Sequence, residues 1–218
     1  ARADTEKIKR QYNVVLERTV RELRGIPCID LEMMAPAKQQ IMCSRSFGTP
    51  MTEFADVSEA LTAHTNRAAV KLRQEGSTAG AVHVLLHTNP HRSDLPQHNG
   101  AITVPLTRAT ADTSRLLAAA QFGLRHIWRD GYRFIKVGVM LMELAPAGQC
   151  QSELFGDHTD HDARRMRLMQ AMDQINLQHG RDILRMGLVS GKRVWSMRQE
   201  LRSPSFTTRW SELLNVKS

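Results

Sequence analysis

Apolar residues recur at three- and four-residue steps over residues 6–24, where Ile8, Tyr12, Val15, Leu16, Val20 and Leu23 share a stripe with Thr19. That spacing predicts an amphipathic helix, stopped by Gly25 and Pro27. Its apolar face needs a surface to rest on, either the downstream part of this chain or a segment preceding it in a longer protein. Residues 26–39 hold Pro27 and Pro36 and sustain no alternation, which predicts an extended connector. The period then changes repeatedly. A strand is expected over 39–48, a helix over 57–76 with Val57, Leu61, Ala68 and Leu72 inward, and strands over 79–88 and 100–107. A strong helix follows over 111–130, with Leu116, Leu117, Ala120, Leu124, Ile127 and Trp128 on one side and Thr110 or Asp112 as cap. Gly131 ends it, and residues 132–144 read as the fourth strand.

The order β-α-β-β-α-β is the ferredoxin-like arrangement of the α+β class: one four-stranded sheet with both helices on one face and the other face free. Alternate residues of a strand face opposite ways. Ile41, Cys43 and Phe47 are expected to face the helices, leaving Ser44, Ser46 and Gly48 on the free face. On the fourth strand Ile135, Val137, Val139 and Leu141 are expected inward, with Tyr132, Lys136, Gly138 and Met140 outward. Arg45 and Arg133 fall on the apolar parity, so they either reach out at an edge or mark a local change of parity.

After Leu144 the composition turns linker-like over 146–160. A helix is expected over 161–178, carrying Met166, Met169, Met172 and Ile175. Two short apolar runs around Ser190-Gly191-Lys192 suggest a hairpin, and a Ser-, Thr- and Arg-containing tail closes the chain. The expected parts are thus a helix to residue 25, a linker 26–39, an α+β domain 40–145, a linker 146–160 and a small α+β C-terminal domain 161–218.

Charge narrows the partner. The 218 residues hold 30 Lys and Arg against 22 Asp and Glu, a formal charge of +8, which favours a polyanion such as nucleic acid. The basic residues form no long run, so a merely solvated surface is the competing explanation. Three cysteines without paired spacing, Cys28, Cys43 and Cys150, indicate neither a disulfide framework nor a zinc site and fit a reducing cytoplasm. No apolar run reaches the roughly 20 residues of a membrane helix. The chain opens on Ala1 inside a charged helical pattern and reads as a piece of a longer protein.

Candidate chemistry is sparse. Asp157–Asp162 offers imidazole and carboxylate groups, but Thr159 or Asp160 serves there as a helix cap. The histidines at 83, 87, 91 and 98 and the methionines at 166, 169 and 172 read as ordinary solvated or packed residues. No carboxylate pair on strand ends, Gly-rich phosphate loop or Gly-x-Ser-x-Gly elbow is present, so the chain reads as non-catalytic by itself.

The segments Tyr12–Gly25 ("YNVVLERTVRELRG"), Cys43–Gly48 ("CSRSFG"), Ala68–Arg73 ("AAVKLR"), Lys136–Leu141 ("KVGVML") and Ser203–Lys217 ("SPSFTTRWSELLNVK") resemble the C-terminal half of UmuC-type Y-family translesion DNA polymerases. The resemblance implies the end of a thumb, a tether, a little finger lying along the major groove of primer-template DNA, and a short C-terminal domain. It implies a role in damage bypass and SOS mutagenesis, with the Mg2+-binding palm missing and no cofactor in this half. The little-finger contacts expected are Ser44, Arg45, Ser46 and Gly48 with Arg133 and Lys136. Gln151, Leu154 and Phe155 match the Gln-x-x-Leu-Phe pattern of sliding-clamp partners, although Leu154 and Phe155 could instead pack on the C-terminal helix. UmuD′-like subunits and RecA are further partners implied by the resemblance alone. The alternative is a free-standing ferredoxin-like module for RNA or protein, which needs exposed stacking aromatics; only Tyr132 and Phe134 are candidates.

Overall fold

The computed structural model describes residues 4–30, 36–148, 159–180, 182–187, 195–197 and 202–213. The chain divides into two compact units, Ala1–Ala37 and Lys38–Ser218.

In the first unit the single expected helix is two, α1 (Thr5–Gln11) and α2 (Val14–Glu22). Asn13 causes the break: extended at φ −164° and ψ 170°, it turns its side-chain oxygen onto the Leu16 N–H at 2.8 Å and so caps α2. A short polar side chain that satisfies a downstream amide competes with a continuous helical ladder. Asp4 caps α1 in the same way, accepting from the Glu6 N–H at 2.9 Å. No residue of either helix is buried, and Tyr12, Val15 and Leu23 of the apolar stripe are 64%, 68% and 75% exposed.

The second unit runs β1 (Ile41–Met51), α3 (Phe54–Gln74), β2 (Ser77–Thr88), β3 (Asn99–Thr110), α4 (Thr113–Ile127), β4 (Phe134–Pro146), α5 (Thr159–His179) and a 3-10 turn (Trp210–Glu212). The order β-α-β-β-α-β and the α+β class are as expected. All pairings in the sheet are antiparallel in the order β1-β4-β2-β3, which puts the second and fourth strands at the centre. β1, β3 and β4 run two or three residues past their expected C-terminal ends, β1 and β4 begin two residues late and β2 two early, whereas α4 stops at Ile127: Trp128 turns extended and its indole N–H bonds Asp130 at 2.7 Å.

The core lies between the sheet and the layer of α3 and α4. Val82, Val84, Leu86, Val137, Val139 and Leu141 from the strands meet Val57, Leu61 and Leu72 of α3 and Leu116 and Leu124 of α4, all fully buried. Each contributes roughly 1.5–3 kcal/mol relative to an exposed position. Gly123 lets α4 settle onto the strands, since a Cβ there would lie 3.1 Å from methyls of Ile102 and Val84.

The C-terminal segment is held on this helix layer largely by polar contacts. The Arg73 guanidinium clamps Asp173 of α5 through two bonds of 2.7 Å while donating to the Ala111 carbonyl and the Thr113 hydroxyl. Arg165 pairs with Asp112, the cap of α4, and bonds Ser114. Asn66 donates to the Met186 carbonyl and accepts from its N–H, at 2.9 and 3.0 Å. Met169 and Trp195 are the buried apolar side chains of the segment among the described residues. Trp195 lies edge-on to His64 and donates to Glu59. The hairpin expected around Ser190–Lys192 lies outside the described residues.

Candidate nucleic-acid interface

The sheet face turned away from α3 and α4 is organised by strand register into rows. Directly opposed residues of paired strands point the same way. Ser46 faces Lys136, Lys136 faces His87, and His87 faces Asn99, giving one polar row across all four strands. The next row is Ser44, Gly138, Leu85 and Ala101, and the third is Met42, Met140, His83 and Thr103. Strands lie about 4.8 Å apart, so the polar row spans roughly 14 Å from Ser46 to Asn99.

In the middle row only glycine fits at position 138. A Cβ there would come within 2.5 Å of the Ser44 Cβ and 3.3 Å of Leu85, whose side chain occupies the space beside the glycine. Leu85 and Gly138 are themselves buried, so the middle row closes over the backbone of the two central strands. In the third row His83 Nδ1 and the Thr103 hydroxyl are hydrogen-bonded at 2.8 Å. In the polar row the imidazole of His87 is held below its ordinary pKa, first by partial burial, then by the positive charges of Lys136 and His98. The row thus offers one ammonium, two neutral donors and an imidazole that gains a proton more readily once an anion offsets Lys136. Such a set grips phosphate oxygens without reading bases.

Of the contacts expected from sequence, Ser46 and Lys136 stand together in the polar row and Ser44 in the row beside it. Arg45 does not share that face. It lies opposite the fully buried Val137, on the helix side of an edge strand, with its side chain exposed and its charge acting on His64. Gly48 falls where the β1–β4 register shifts between Ser46 and Met51, outside the rows. Arg133 precedes β4 and lines a cleft beside the β2–β3 loop. Gln151, Leu154 and Phe155 lie outside the described residues.

A bulge corrects the expected parity of β4. His87 pairs with Lys136 and the next residue, Thr88, with Phe134, so Ile135 is the extra residue and Phe134 takes the inward place. Phe134 is fully buried, with its ring centroid 5.0 Å from that of Trp128, and Tyr132 packs half-buried against the core instead of standing on the open face. His83 and His87 are then the aromatic rings of the three rows, which removes the stacking platform an RNA reader needs. His87 and Asn99 were missed as partners of Lys136, because only the register brings the three together.

Among the described residues no three His, Cys, Asp or Glu side chains gather to hold a metal ion. No described helix is long and apolar enough to cross a membrane.

Comparison with known proteins adds the family. The model described as "impB/mucB/samB family C-terminal domain" matches residues 38–154, and one described as "Domain of unknown function (DUF4113)" matches 166–216. Protein UmuC of Salmonella typhimurium is 40% identical over 96% of this chain and 50% of its own length. Protein SamB of Salmonella typhimurium is 41% identical over 100% of the chain and 51% of its own length. Protein MucB of Escherichia coli is 39% identical over 98% of the chain and 50% of its own length. The chain spans about half the length of the curated relatives it matches.

Proposed function

The chain belongs to the impB/mucB/samB family, and from that premise we propose that it is the DNA-gripping and clamp-tethering part of an error-prone DNA polymerase that copies past lesions. The observation that carries the DNA reading is the polar row Ser46, Lys136, His87 and Asn99, set across four strands of the sheet face that α3 and α4 leave uncovered. Its contacts address phosphates and sugars, so the grip is indifferent to sequence and to damage in the bases.

In this reading the reaction belongs to the part of the relatives' length that this sequence does not span, and the work of the part it does span is positional. Gripping the duplex behind the active site fixes the primer end, and a clamp-bound peptide at Gln151, Leu154 and Phe155 raises the local concentration of the enzyme at primer ends. Burying Leu154 and Phe155 in a preformed apolar cleft would supply the affinity, with Gln151 orienting the peptide. UmuD′-like subunits and RecA are proposed partners on family grounds alone.

The test is binding of this chain to primer-template duplex and to single-stranded RNA across a salt series, and to a bacterial sliding clamp. The expected result is preference for duplex, affinity falling steeply with salt, and clamp binding lost in a Leu154→Ala, Phe155→Ala double variant. Preference for single-stranded RNA would sink the DNA reading. Clamp binding unaffected by the double variant would remove the tether.

A further inference from the structure

Residues 182–187 follow α5 without helix or strand, and two asparagine side chains hold their main chain. Asn176 of α5 donates to the Leu184 carbonyl and accepts from the Leu184 N–H, both at 2.8 Å. Asn66 of α3 does the same at Met186, at 2.9 and 3.0 Å. A primary amide that meets the N–H and C=O of one residue copies the bonding of a neighbouring strand, so it reads main chain rather than side chain. One position along, the site reads shape. Gly187 has φ +84°, and a Cβ there would come within 2.9 Å of Leu117 of α4 and of the Thr62 methyl of α3.

The receiving surface is organised by bonds of its own. The Asn66 amide nitrogen also donates to the Thr62 carbonyl at 2.8 Å. The Thr62 hydroxyl donates to the Ser58 carbonyl and accepts from the Gln121 amide nitrogen, at 2.8 and 2.9 Å, and Gln121 Oε1 accepts from the Ser58 hydroxyl at 2.8 Å. These bonds tie α3 to α4 without using residues 182–187, so the surface is set before the segment arrives. The segment itself fits imperfectly. Arg185, between the two gripped residues, has its Nη1 buried with no hydrogen-bond partner among the described residues. A buried donor left in that state is destabilising. Leu184 stays 39% exposed, so its burial offsets little of the loss.

We propose that α3, α4 and α5 form a peptide-binding groove which the chain fills with its own residues 184–187, and that its partner in trans is a short segment of another protein with glycine at the fourth place and an uncharged residue where this chain has Arg185. The resident segment is the template for that ligand: main-chain bonds at the first and third places supply affinity, and the tight fourth place supplies selectivity. A second copy of the chain offers the same arginine and so gains nothing over the resident. Residues 184–187 thus act as a plug that a better-fitted peptide displaces. The inference does not depend on the open sheet face, which lies on the other side of the sheet from α3 and α4.

Amide hydrogen exchange on the full chain reads the plug. In the wild type the Leu184 and Met186 amides are expected to exchange faster than that of Val84 in the sheet core, because the plug opens without global unfolding. Arg185→Leu is expected to slow them about tenfold, and Asn66→Ala to speed them by about the same factor. The ligand arm adds a capped peptide of residues 182–187 carrying Arg185→Leu, at millimolar concentration. It is expected to bind the wild-type chain saturably and to speed exchange at Leu184 and Met186 by displacing them. The same peptide with Gly187→Val added is expected to do neither, a control that needs no variant chain. Exchange of Leu184 and Met186 at the rate of Val84 would overturn the proposal, since the plug then leaves only when the whole domain unfolds. Failure of the Arg185→Leu peptide to bind would overturn it too, as would equal binding of the Gly187→Val peptide, because the groove would then select nothing.

Discussion

The two sides of the sheet differ by a shift of one residue along each strand. On one side Val82, Val84, Leu86, Val137, Val139 and Leu141 are fully buried under α3 and α4. On the other, the intervening residues Ser44, Ser46, Lys136, His83 and His87 remain partly or wholly exposed. The period-two alternation of a strand thus separates the groups that hold the domain together from those available to a ligand. The covered side is dense and intolerant of change, and the polar row of the open side can be altered at little structural cost, in contrast to Gly138 and the buried Leu85 beside it. Arg45 tests the rule from within: it lies on the covered side yet is exposed, because β1 is an edge strand and a long side chain there can reach around the helices.

The largest effect is expected on the covered side. Leu141→Ala should lower unfolding free energy by about 2–5 kcal/mol in a urea titration, while the folded fraction keeps the wild-type salt dependence of duplex binding. A changed slope would show that the two faces are not separable.

The next effect is the acid response of the covered layer. His64 is buried with its Nε2 lacking a hydrogen-bond partner among the described residues, and its pKa is lowered to about 4 by burial, then by the charges of Arg67 and Arg45. The unfolded chain takes up this proton near pH 6.5 and the folded chain only near 4. The contribution is therefore whole above pH 6.5 and shrinks as the pH falls, by up to about 3 kcal/mol at pH 4. Urea titrations at pH 7 and 4.5 should show the loss in the wild type and much less of it in His64→Gln. Equal losses in the two would place the acid sensitivity elsewhere.

Smallest is Ser46→Ala on the open face. It should shift stability by less than about 0.5 kcal/mol, weaken duplex binding roughly two- to tenfold, and leave the salt slope unchanged because serine carries no charge. A loss of stability comparable to that of Leu141→Ala would break the contrast between the faces.

The element order and the existence of a free sheet face were legible in the sequence, because long segments carry a clean period of two or of three to four. Ser44, Ser46 and Lys136 followed from parity alone. The bulge at Ile135 was not legible, since whether one residue is skipped depends on which partner each flanking residue finds, and Thr88 choosing Phe134 is a tertiary fact. The same holds for strand order and for the alignment of His87 and Asn99 with Lys136. Asn13 did carry a local signal, a capping residue inside an apolar stripe, which the continuity of the stripe outweighed. The docking of the C-terminal segment left no periodic trace, because Arg73, Asp173, Asn66 and Arg165 act as isolated polar contacts far apart in the chain.

The strand order has a consequence for how this domain is made. β1 has β4 as its strand partner, and β4 is the last strand among the described residues. At a synthesis rate of about 5–20 residues per second, β1 emerges on the order of 5–20 seconds before Phe134, the first residue of β4. During that interval β2 and β3 can close as a hairpin, while β1 waits as an unpaired edge open to foreign strands. The sheet is then completed from its middle, by a segment that must slot between two pieces already formed. A nascent chain halted before Phe134 holds a hairpin and an orphan strand, so closure of the sheet belongs to the residues that also carry Lys136 and Gly138.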